Sequence, residues 1–448
     1  MKKIIIPLLL SILAFSCNND DDNFVAPIEH TFNIKFSEDY NNANAPNVNI
    51  SITSGEDGKT YSATTDTNGN ATLSVVPGNY KVTASLTYTA EAYTAAWGQE
   101  TNGDVSFNAS EDNISITANS STTTNLVLVT GRIGNLIIKQ VYFSGSDTKL
   151  GAVFRDQFFE VHNNSNETLY LDGIYFAQVW GTTSIPSTLK SYHLPNGQYD
   201  WSQSLYQAYA ENANTHYVYS DEVIQFPGSG EDYPLVPGES AIVAATAINH
   251  KAPLTITDDE GETVVYEVLN PDLTIDLSQA PFEAYFRPYQ ESIGSAYLDY
   301  DIDNPNSVNM TVVFKNGGGR DLIFDPLGRD AFVIFEADND TFNSWNSVPL
   351  PSITSDNYTE TTKRFLQIPI TYILDGMEAQ HTDTSNAKPK RLPDSIDAGE
   401  AATISGKYSS ESVIRLKKPN TNGNVFYQDT NNSFNDFEVA GPPVVEIE

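Results

Sequence analysis

Three aspartates at alternate positions have a spacing that could bind a metal ion. Asp299, Asp301 and Asp303 occupy the first, third and fifth positions of a segment that begins like an EF-hand calcium loop. That loop needs glycine at its sixth position, where this chain has Asn304, and glutamate at its twelfth, where none stands. A complete EF-hand is therefore excluded. Two interpretations stay open, a looser Ca²⁺ site made from these carboxylates and a solvated acidic turn.

The other residue types that carry catalysis are scattered along the chain. No histidine stands at metal-ligand spacing from another, and the sequence has no zinc motif, no Gly-rich phosphate loop and no nucleophile elbow. With 58 acidic residues, pairs of carboxylates say little about glycosidase chemistry. His162 is expected to pack or to form hydrogen bonds at a strand end. We therefore predict no catalytic residue and no cofactor, with Ca²⁺ as the single open case.

Aromatic side chains with polar tips are concentrated in one stretch. Residues 199–219 contain six tyrosines and tryptophans and few aliphatic residues, and Trp180 lies just upstream. Such rings offer rigid contact area at a low entropy cost. One hypothesis makes Trp180, Trp201, Tyr206 and Tyr209 a contact surface for a ligand or partner. The other has these rings cover a core. A short helix is predicted over residues 202–213.

Cys17 is the only cysteine of the chain, and it follows a segment with the layout of a secretory signal. Lys2 and Lys3 precede an apolar stretch over residues 4–13, which is too short for the roughly 20 residues of a membrane span. The sequence Ala14-Phe-Ser-Cys17 resembles the lipobox of bacterial lipoproteins, whose cysteine is acylated and becomes the new N-terminus. The resemblance implies a signal peptide over residues 1–16 and a lipid anchor at Cys17.

The residues after Cys17 predict where the anchor places the chain. An acidic tether over residues 17–28 begins with Asn-Asn-Asp-Asp-Asp and resembles the export tag of Bacteroidota-type lipoproteins. This resemblance implies the outer membrane, with the protein facing the cell exterior. The net charge of −34 would repel nucleic acid, so we expect no nucleic-acid partner.

The composition favours an all-β fold. Charged residues are few, aromatic residues are plentiful, and Asn, Thr, Ser and Gly separate the β-branched residues, as in proteins of short strands and turns. A length of 448 residues exceeds one typical domain. Without cysteine pairs, stability has to come from apolar cores.

Residues 29–130 alternate apolar and polar side chains in short runs and predict a β-sandwich of seven or so strands. The segment Thr65-Asp-Thr-Asn-Gly69 and the corner Val76-Pro-Gly-Asn-Tyr-Lys-Val82 resemble the carboxypeptidase regulatory-like, or transthyretin-like, sandwich family. That resemblance implies a supporting module without catalytic activity. Residues 88–104 interrupt the alternation and are predicted to form a long hairpin or loop.

Residues 131–448 are predicted to form a second, larger β domain. The stretch from Asp156 to Gly173, the segment Leu235-Val-Pro-Gly-Glu-Ser-Ala-Ile-Val243 and the closing stretch from Gln428 to Val439 resemble the lamin-tail-like immunoglobulin-fold family. Their wide spacing implies insertions near 178–230 and 255–400. The whole chain resembles an uncharacterised family of Bacteroidota surface lipoproteins, which are often expected beside outer-membrane receptors that import nutrients.

These observations predict a non-enzymatic surface lipoprotein that acts as a binding or accessory module, with a nutrient-import receptor as one candidate partner. Two alternatives stay open. One is a hydrolase that acts on surface polymers through carboxylates, and the other is a structural or adhesive surface protein.

Overall fold

The computed structural model describes residues 26–37, 40–97, 105–118, 122–132, 135–165, 167–257, 261–316, 319–418 and 425–443. Cys17 and the tether up to residue 25 lie outside the described residues, so the lipid anchor stays a prediction. Within the described ranges, no helix combines the length and the apolar character that a membrane crossing requires.

The first unit is a seven-stranded sheet that curls around one apolar core, with strand order β3-β2-β5-β6-β7-β1-β4. Alternate side chains of β1, such as Phe32, Ile34 and Phe36, are buried, as the alternation in the sequence predicted. The elements of this unit are β1 (Ile28–Phe36), β2 (Asn49–Ser54), β3 (Thr60–Thr64), β4 (Asn70–Val75), β5 (Gly78–Tyr88), α1 (Ala90–Trp97), β6 (Val105–Ile116) and β7 (Thr123–Arg132).

Helix α1 lies where the sequence predicted a loop, so that prediction is wrong over residues 90–97. Tyr93 and Trp97 are four residues apart and therefore share one face of the helix. The Tyr93 hydroxyl lies 2.8 Å from that of Tyr40, and the Trp97 ring packs edge-on against Phe36 at 5.0 Å. The four alanines of α1 favour a helix locally, the Thr89 hydroxyl accepts a hydrogen bond from the Ala92 amide at 3.2 Å, and the packing of the two rings adds to these local effects.

The second unit contains a seven-stranded sheet, a five-stranded sheet and a three-stranded sheet. Its helices are α2 (Arg287–Ser292), α3 (Asn339–Ser344) and α4 (Ser433–Asp436). Its strands are β8 (Leu136–Tyr142), β9 (Phe158–Asn163), β10 (Leu169–Tyr170), β11 (Ile174–Val179), β12 (Tyr217–Ser220), β13 (Glu222–Gln225), β14 (Pro234–Leu235), β15 (Ser240–Ala244), β16 (Leu254–Thr257), β17 (Thr263–Tyr266), β18 (Phe282–Glu283), β19 (Val308–Asn309), β20 (Thr311–Lys315), β21 (Ala331–Glu336), β22 (Ser347–Pro349), β23 (Arg364–Pro369), β24 (Ile373–Glu378), β25 (Ser412–Arg415) and β26 (Phe437–Ala440).

The three sheets are layered, with the five-stranded sheet in the middle. Its order is β20-β13-β11-β21-β24, and that of the seven-stranded sheet is β19-β18-β15-β9-β8-β25-β26. Phe159 of the seven-stranded sheet stacks on Phe176 of the middle sheet at 3.7 Å, inside the larger core. On the opposite face of the middle sheet, Tyr175 and Phe335 join a second core that includes Val218 of the three-stranded sheet β12-β23-β22. Strands β11 and β21 are therefore apolar on both faces.

The structure confirms the all-β prediction. It also places sheet strands inside the two segments that were predicted as insertions. Strands β12 and β13 lie within 178–230, and β20, β21 and β24 lie within 255–400 and supply three of the five strands of the middle sheet. Pairing between strands that are distant along the chain decides this arrangement, and local periodicity does not encode it.

The two units contact each other through polar groups. Ser106 and Asn108 of β6 donate hydrogen bonds to the Thr430 carbonyl at 3.0 and 2.7 Å, and Lys81 forms an ion pair with Glu400 at 2.9 Å. A cleft of about 880 Å³ beside this contact is lined by residues of both units. The first unit is thus docked against the second unit by specific side chains.

Candidate functional site

Residues 180–216 connect β11 to β12 and cover the outer face of the three-stranded sheet. The segment contains short 3₁₀ turns at Ser187–Tyr192, Trp201–Gln203 and Ala210–Asn212, where one helix had been predicted over residues 202–213. The helix prediction is therefore wrong. Tyr206 has a φ of +63°, which an α-helix of L-residues cannot accommodate, and this conformation separates the last two turns.

Trp201 packs the segment of residues 180–216 against the three-stranded sheet. Its side chain is 5 % exposed and stacks on Tyr219 of β12 with ring centroids 3.9 Å apart and planes inclined by 11°. Phe365 of β23 lies edge-on to it at 5.6 Å. The ring of Trp201 is therefore part of a small core and is not accessible to a ligand. For Trp201, the hypothesis that the aromatic rings cover a core is the one that fits.

Tyr206 and Tyr209 lie on the opposite side of the segment and are 59 % and 53 % exposed. Each is supported by another tyrosine. Tyr206 meets Tyr358 edge-on at 5.2 Å, and Tyr209 stacks on Tyr217 at 5.2 Å with planes inclined by 17°. The Arg364 guanidinium lies 5.6 Å from the centroid of the Tyr206 ring. These four tyrosines and Arg364 are called the tyrosine patch below.

Arg364 holds part of the tyrosine patch in place. Its guanidinium donates hydrogen bonds to the Tyr358 hydroxyl at 3.2 Å and to Ser347 Oγ at 3.0 Å. The Asn346 side chain donates a hydrogen bond to the Tyr206 carbonyl at 2.9 Å. The Tyr206 backbone and the ring of Tyr358 are thus held in place before any ligand arrives, which lowers the entropy cost of binding.

Trp180 lies apart from the patch, at the end of β11. The Lys363 ammonium sits 4.1 Å from the centroid of its indole and also forms an ion pair with the Asp221 carboxylate. Among the ring contacts of the described residues, none joins Trp180 to Tyr206 or Tyr209. Of the four predicted contact residues, only Tyr206 and Tyr209 are therefore exposed in the structure.

The three aspartates of the acidic loop do not converge on one point. Asp301 is buried and its Oδ2 accepts a hydrogen bond from the Phe286 amide at 2.9 Å, whereas Asp299 and Asp303 are exposed. Burial raises the pKa of Asp301 to about 7, and the carboxylates of Asp321 and Glu283 add to the effect. Across the ranges that the structure describes, no group of three or more His, Cys, Asp or Glu side chains is placed to hold a metal ion. The missing glycine explains this, because the loop cannot turn sharply enough to surround a cation.

His162 is buried in β9, and its two ring nitrogens lie 2.9 Å from Ser240 Oγ and 3.1 Å from the Val425 carbonyl oxygen. Burial lowers the pKa of this imidazole to about 4, so it is neutral at pH 7. Both nitrogens are held by protein groups, as expected of a packing residue.

Comparison with known proteins reveals similarity to a family without an assigned role. Residues 236–444 match the model of a family described as protein of unknown function (DUF4876). The crystal structure of a DUF4876 family protein from Bacteroides thetaiotaomicron is 26 % identical in sequence, and the match covers 94 % of this chain and 96 % of that chain with a TM-score of 0.51. The two chains therefore share their fold over almost their whole lengths.

Two other solved structures match far less well. Fervidolysin from Fervidobacterium pennivorans, a keratinolytic enzyme related to subtilisin, is 14 % identical over 51 % of this chain and 26 % of its own, with a TM-score of 0.18. A protein from Bacteroides ovatus that has been suggested to be an adhesin is 9 % identical over 80 % and 88 %, with a TM-score of 0.18. Likeness at this level carries no argument about fold or function. No curated protein matches the chain.

Proposed function

We propose that this protein is a non-enzymatic, lipid-anchored protein of the outer cell surface that binds a ligand or partner through the tyrosine patch. The observation that carries the proposal is the exposure of Tyr206 and Tyr209, whose rings are each more than half open and each supported by a second tyrosine.

The chemistry of the patch is that of a recognition surface. Tyrosine and arginine are enriched among the residues that dominate binding energies, because they combine apolar area with polar tips and few rotatable bonds. Arg364 places a positive charge beside Tyr206 and Tyr358 on a protein of net charge −34, so this part of the patch differs electrostatically from the protein as a whole. A protein partner such as an outer-membrane receptor for nutrients fits this combination.

The first experiment tests the patch. The double variant Tyr206→Ser/Tyr209→Ser and the control Tyr170→Ser, which alters a 40 % exposed tyrosine of β10, are compared as baits for outer-membrane proteins solubilised from the native cell. We expect the double variant to capture at least tenfold less of the specific partner, since two hot-spot rings together contribute about 2 kcal/mol or more. The control should capture as much as the wild type. Equal capture by all three proteins would show that the patch is the wrong surface.

The second experiment tests the anchor. A Cys17→Ala variant should move from the membrane fraction to the soluble fraction, because the acyl chains that hold the protein can no longer be attached. Protease treatment of intact cells should degrade the wild-type protein if it faces outward. Retention of the variant in the membrane fraction, or full protection from protease, would contradict the proposed location.

A further inference from the structure

A cleft of about 430 Å³ lies at one end of the middle sheet, on residues outside the tyrosine patch. Its volume is within the range of about 300–1,000 Å³ that is usual for small-ligand pockets. The polar side chains of its walls include two aromatic rings with polar tips, four carboxylates and two guanidinium groups: Trp180, Tyr199, Asp221, Glu222, Asp325, Asp330, Arg329 and Arg391.

The sheet brings two of these carboxylates to the same end of the cleft. Gln178 of β11 pairs with Glu222 of β13 on one side and with Phe332 of β21 on the other. Asp330 directly precedes β21, and its Oδ2 lies 3.5 Å from the Gln178 side-chain nitrogen. Glu222 and Asp330 therefore reach the cleft from two strands that flank β11.

Glu222 has an acceptor atom with no protein partner. Its side chain lines the cleft, the residue is only 8 % exposed, and its Oε2 is paired with the Lys315 ammonium, whereas Oε1 accepts no hydrogen bond. A buried oxygen without a partner costs about 1–3 kcal/mol, so such atoms usually meet a ligand or water.

Most donors of the positive groups in the cleft are paired with other residues, and Arg391 Nε is the exception, a buried donor without a hydrogen-bond partner. Arg391 donates hydrogen bonds to Glu378 at 3.0 Å and to the Arg329 carbonyl oxygen. Arg329 Nε donates one to Asp325 at 2.5 Å. The guanidinium groups thus offset Glu378 and Asp325 and also favour the charged form of Asp330, whose Oδ2 accepts a hydrogen bond from the Asp325 amide at 2.6 Å. Glu222 Oε1 and the second oxygen of Asp330 are the carboxylate acceptors that remain for a ligand.

The protein itself shows how an ammonium group is bound at this place. The Lys363 ammonium rests on the face of Trp180 and is paired with Asp221, and both of these residues also line the cleft. An aromatic face next to a carboxylate is the combination that binds organic cations. Glu222, Asp330 and Tyr199, which also line the cleft, combine an aromatic ring with carboxylates in the same way.

We infer that this cleft binds a primary ammonium group carried on an alkyl chain. The ammonium has three donors and no acceptor, which matches the Glu222 and Asp330 oxygens, and the alkyl chain can lie along Trp180 and Tyr199. This site shares no residue with the tyrosine patch, so the protein would bind a second ligand in addition to the one in the proposed function.

The test uses cadaverine as the cationic probe and 1,5-pentanediol as its uncharged counterpart, titrated calorimetrically in 150 mM salt to screen the general negative charge of the protein. The titrations are made at pH 8.0, above the pKa of about 7 of Glu222 and of about 6 of Asp330, so that both carboxyls are mostly ionised. We expect Asp330→Asn and Glu222→Gln each to weaken cadaverine binding about tenfold there, because each removes one charged acceptor. The control Asp356→Asn, which neutralises an exposed carboxylate outside the cleft, should leave the affinity unchanged. The diol should bind at least tenfold more weakly than the diamine.

Equal affinities for the wild type and the two cleft variants would overturn the inference, as would the absence of saturable binding. If Glu222→Gln fails to fold because Lys315 loses its partner, Asp330→Asn and Trp180→Phe carry the test. Cadaverine affinity should be unaffected in Tyr206→Ser/Tyr209→Ser. A loss there would show that the two sites are not independent.

Discussion

Tyr206 has an exposed side chain on a backbone conformation that is unfavourable for a bulky residue. A bulky residue with φ of +63° is strained by about 1–2 kcal/mol relative to the right-handed regions. Its ring is mostly exposed and contributes little burial in return. Strain of this kind occurs most often at functional sites, which agrees with the role proposed for the tyrosine patch.

Replacing Tyr206 by glycine should therefore stabilise the protein by about 0.5–1 kcal/mol, because glycine adopts positive φ without strain. The matched control is Tyr209→Gly, at a residue with φ of −130°, which should destabilise by about 0.5–1 kcal/mol. Urea denaturation of both variants measures the difference. A loss of more than 1 kcal/mol in Tyr206→Gly would mean that the ring contact with Tyr358 serves stability.

Trp201 and Tyr209 are separated by only eight positions, yet they should respond very differently to truncation. Trp201→Ala removes a ring from a small core and should cost about 3–5 kcal/mol, whereas Tyr209→Ala removes a mostly exposed ring and should cost less than about 1 kcal/mol. Thermal melting of the two variants compares them. Similar losses would contradict the assignment of Trp201 to the core.

Among the elements, the closing segment around α4 is held by one buried arginine. Arg415 of β25 forms two hydrogen bonds of 2.8 Å with Asp375 of β24 and one of 3.2 Å with Asp436 of α4. It also reaches Asp429 at 3.3 Å and the Ile138 carbonyl oxygen of β8 at 2.8 Å. Three strands or helices that are far apart in the sequence therefore depend on one guanidinium.

Arg415→Met should destabilise the second unit by about 3–5 kcal/mol, since it removes the positive charge that three buried carboxylates share. The exposed Arg320→Met is the control and should stay within about 0.5 kcal/mol of the wild type. Guanidinium chloride denaturation measures both. If Arg415→Met were as stable as the control, the ion cluster would not be what holds the closing segment.

On the scale of the whole molecule, buried carboxyl groups link stability to pH. Burial raises the pKa of seven of them to about 6 or 7, above the value of about 4 in an unfolded chain. These are Glu222, Glu283, Asp301, Asp330, Asp375, Glu378 and Asp436. The folded protein therefore binds more protons than the unfolded chain between about pH 4 and 7, and its stability falls as pH rises through this window.

Two other kinds of group act in the opposite direction. Burial lowers the pKa of His30, His162 and His250, so these three favour folding at higher pH, but they are outnumbered by the seven carboxyls. Hydrogen bonds from Thr341 lower the pKa of the exposed Asp338, whose contribution is lost only below about pH 4. The balance predicts greatest stability at mildly acidic pH.

The melting temperature should accordingly be higher at pH 5.5 than at pH 8.0, by on the order of 5 °C. Calorimetry at both pH values measures it. Repeating the scans in 1 M salt, which screens surface repulsion of the −34 net charge, separates that repulsion from the buried groups. An equal or higher melting temperature at pH 8.0 would contradict the assignment of these carboxyls as buried groups with raised pKa values.

Several features could be predicted from the sequence because they depend on neighbours along the chain. The period-two alternation of β1 and the turn chemistry at Asp66, whose side chain accepts amide hydrogen bonds of 2.8 and 2.9 Å from Asn68 and Asn70, are local properties. The same holds for the all-β class and for the position of the aromatic segment. The helix over residues 90–97 was missed although its four alanines favour a helix locally, and packing of its rings against β1 stabilises it further.

The sequence by itself determined that this is an all-β protein with an aromatic, polar-tipped segment between two strands. Only the tertiary structure decided that Trp201 is buried while Tyr206 and Tyr209 are open, and that Glu222 and Asp330 line one cleft. The physical reason is that the type and the alternation of side chains are local properties of the sequence. The exposure of a side chain and the meeting of two side chains in one cleft depend instead on which distant strands pair and which faces they cover.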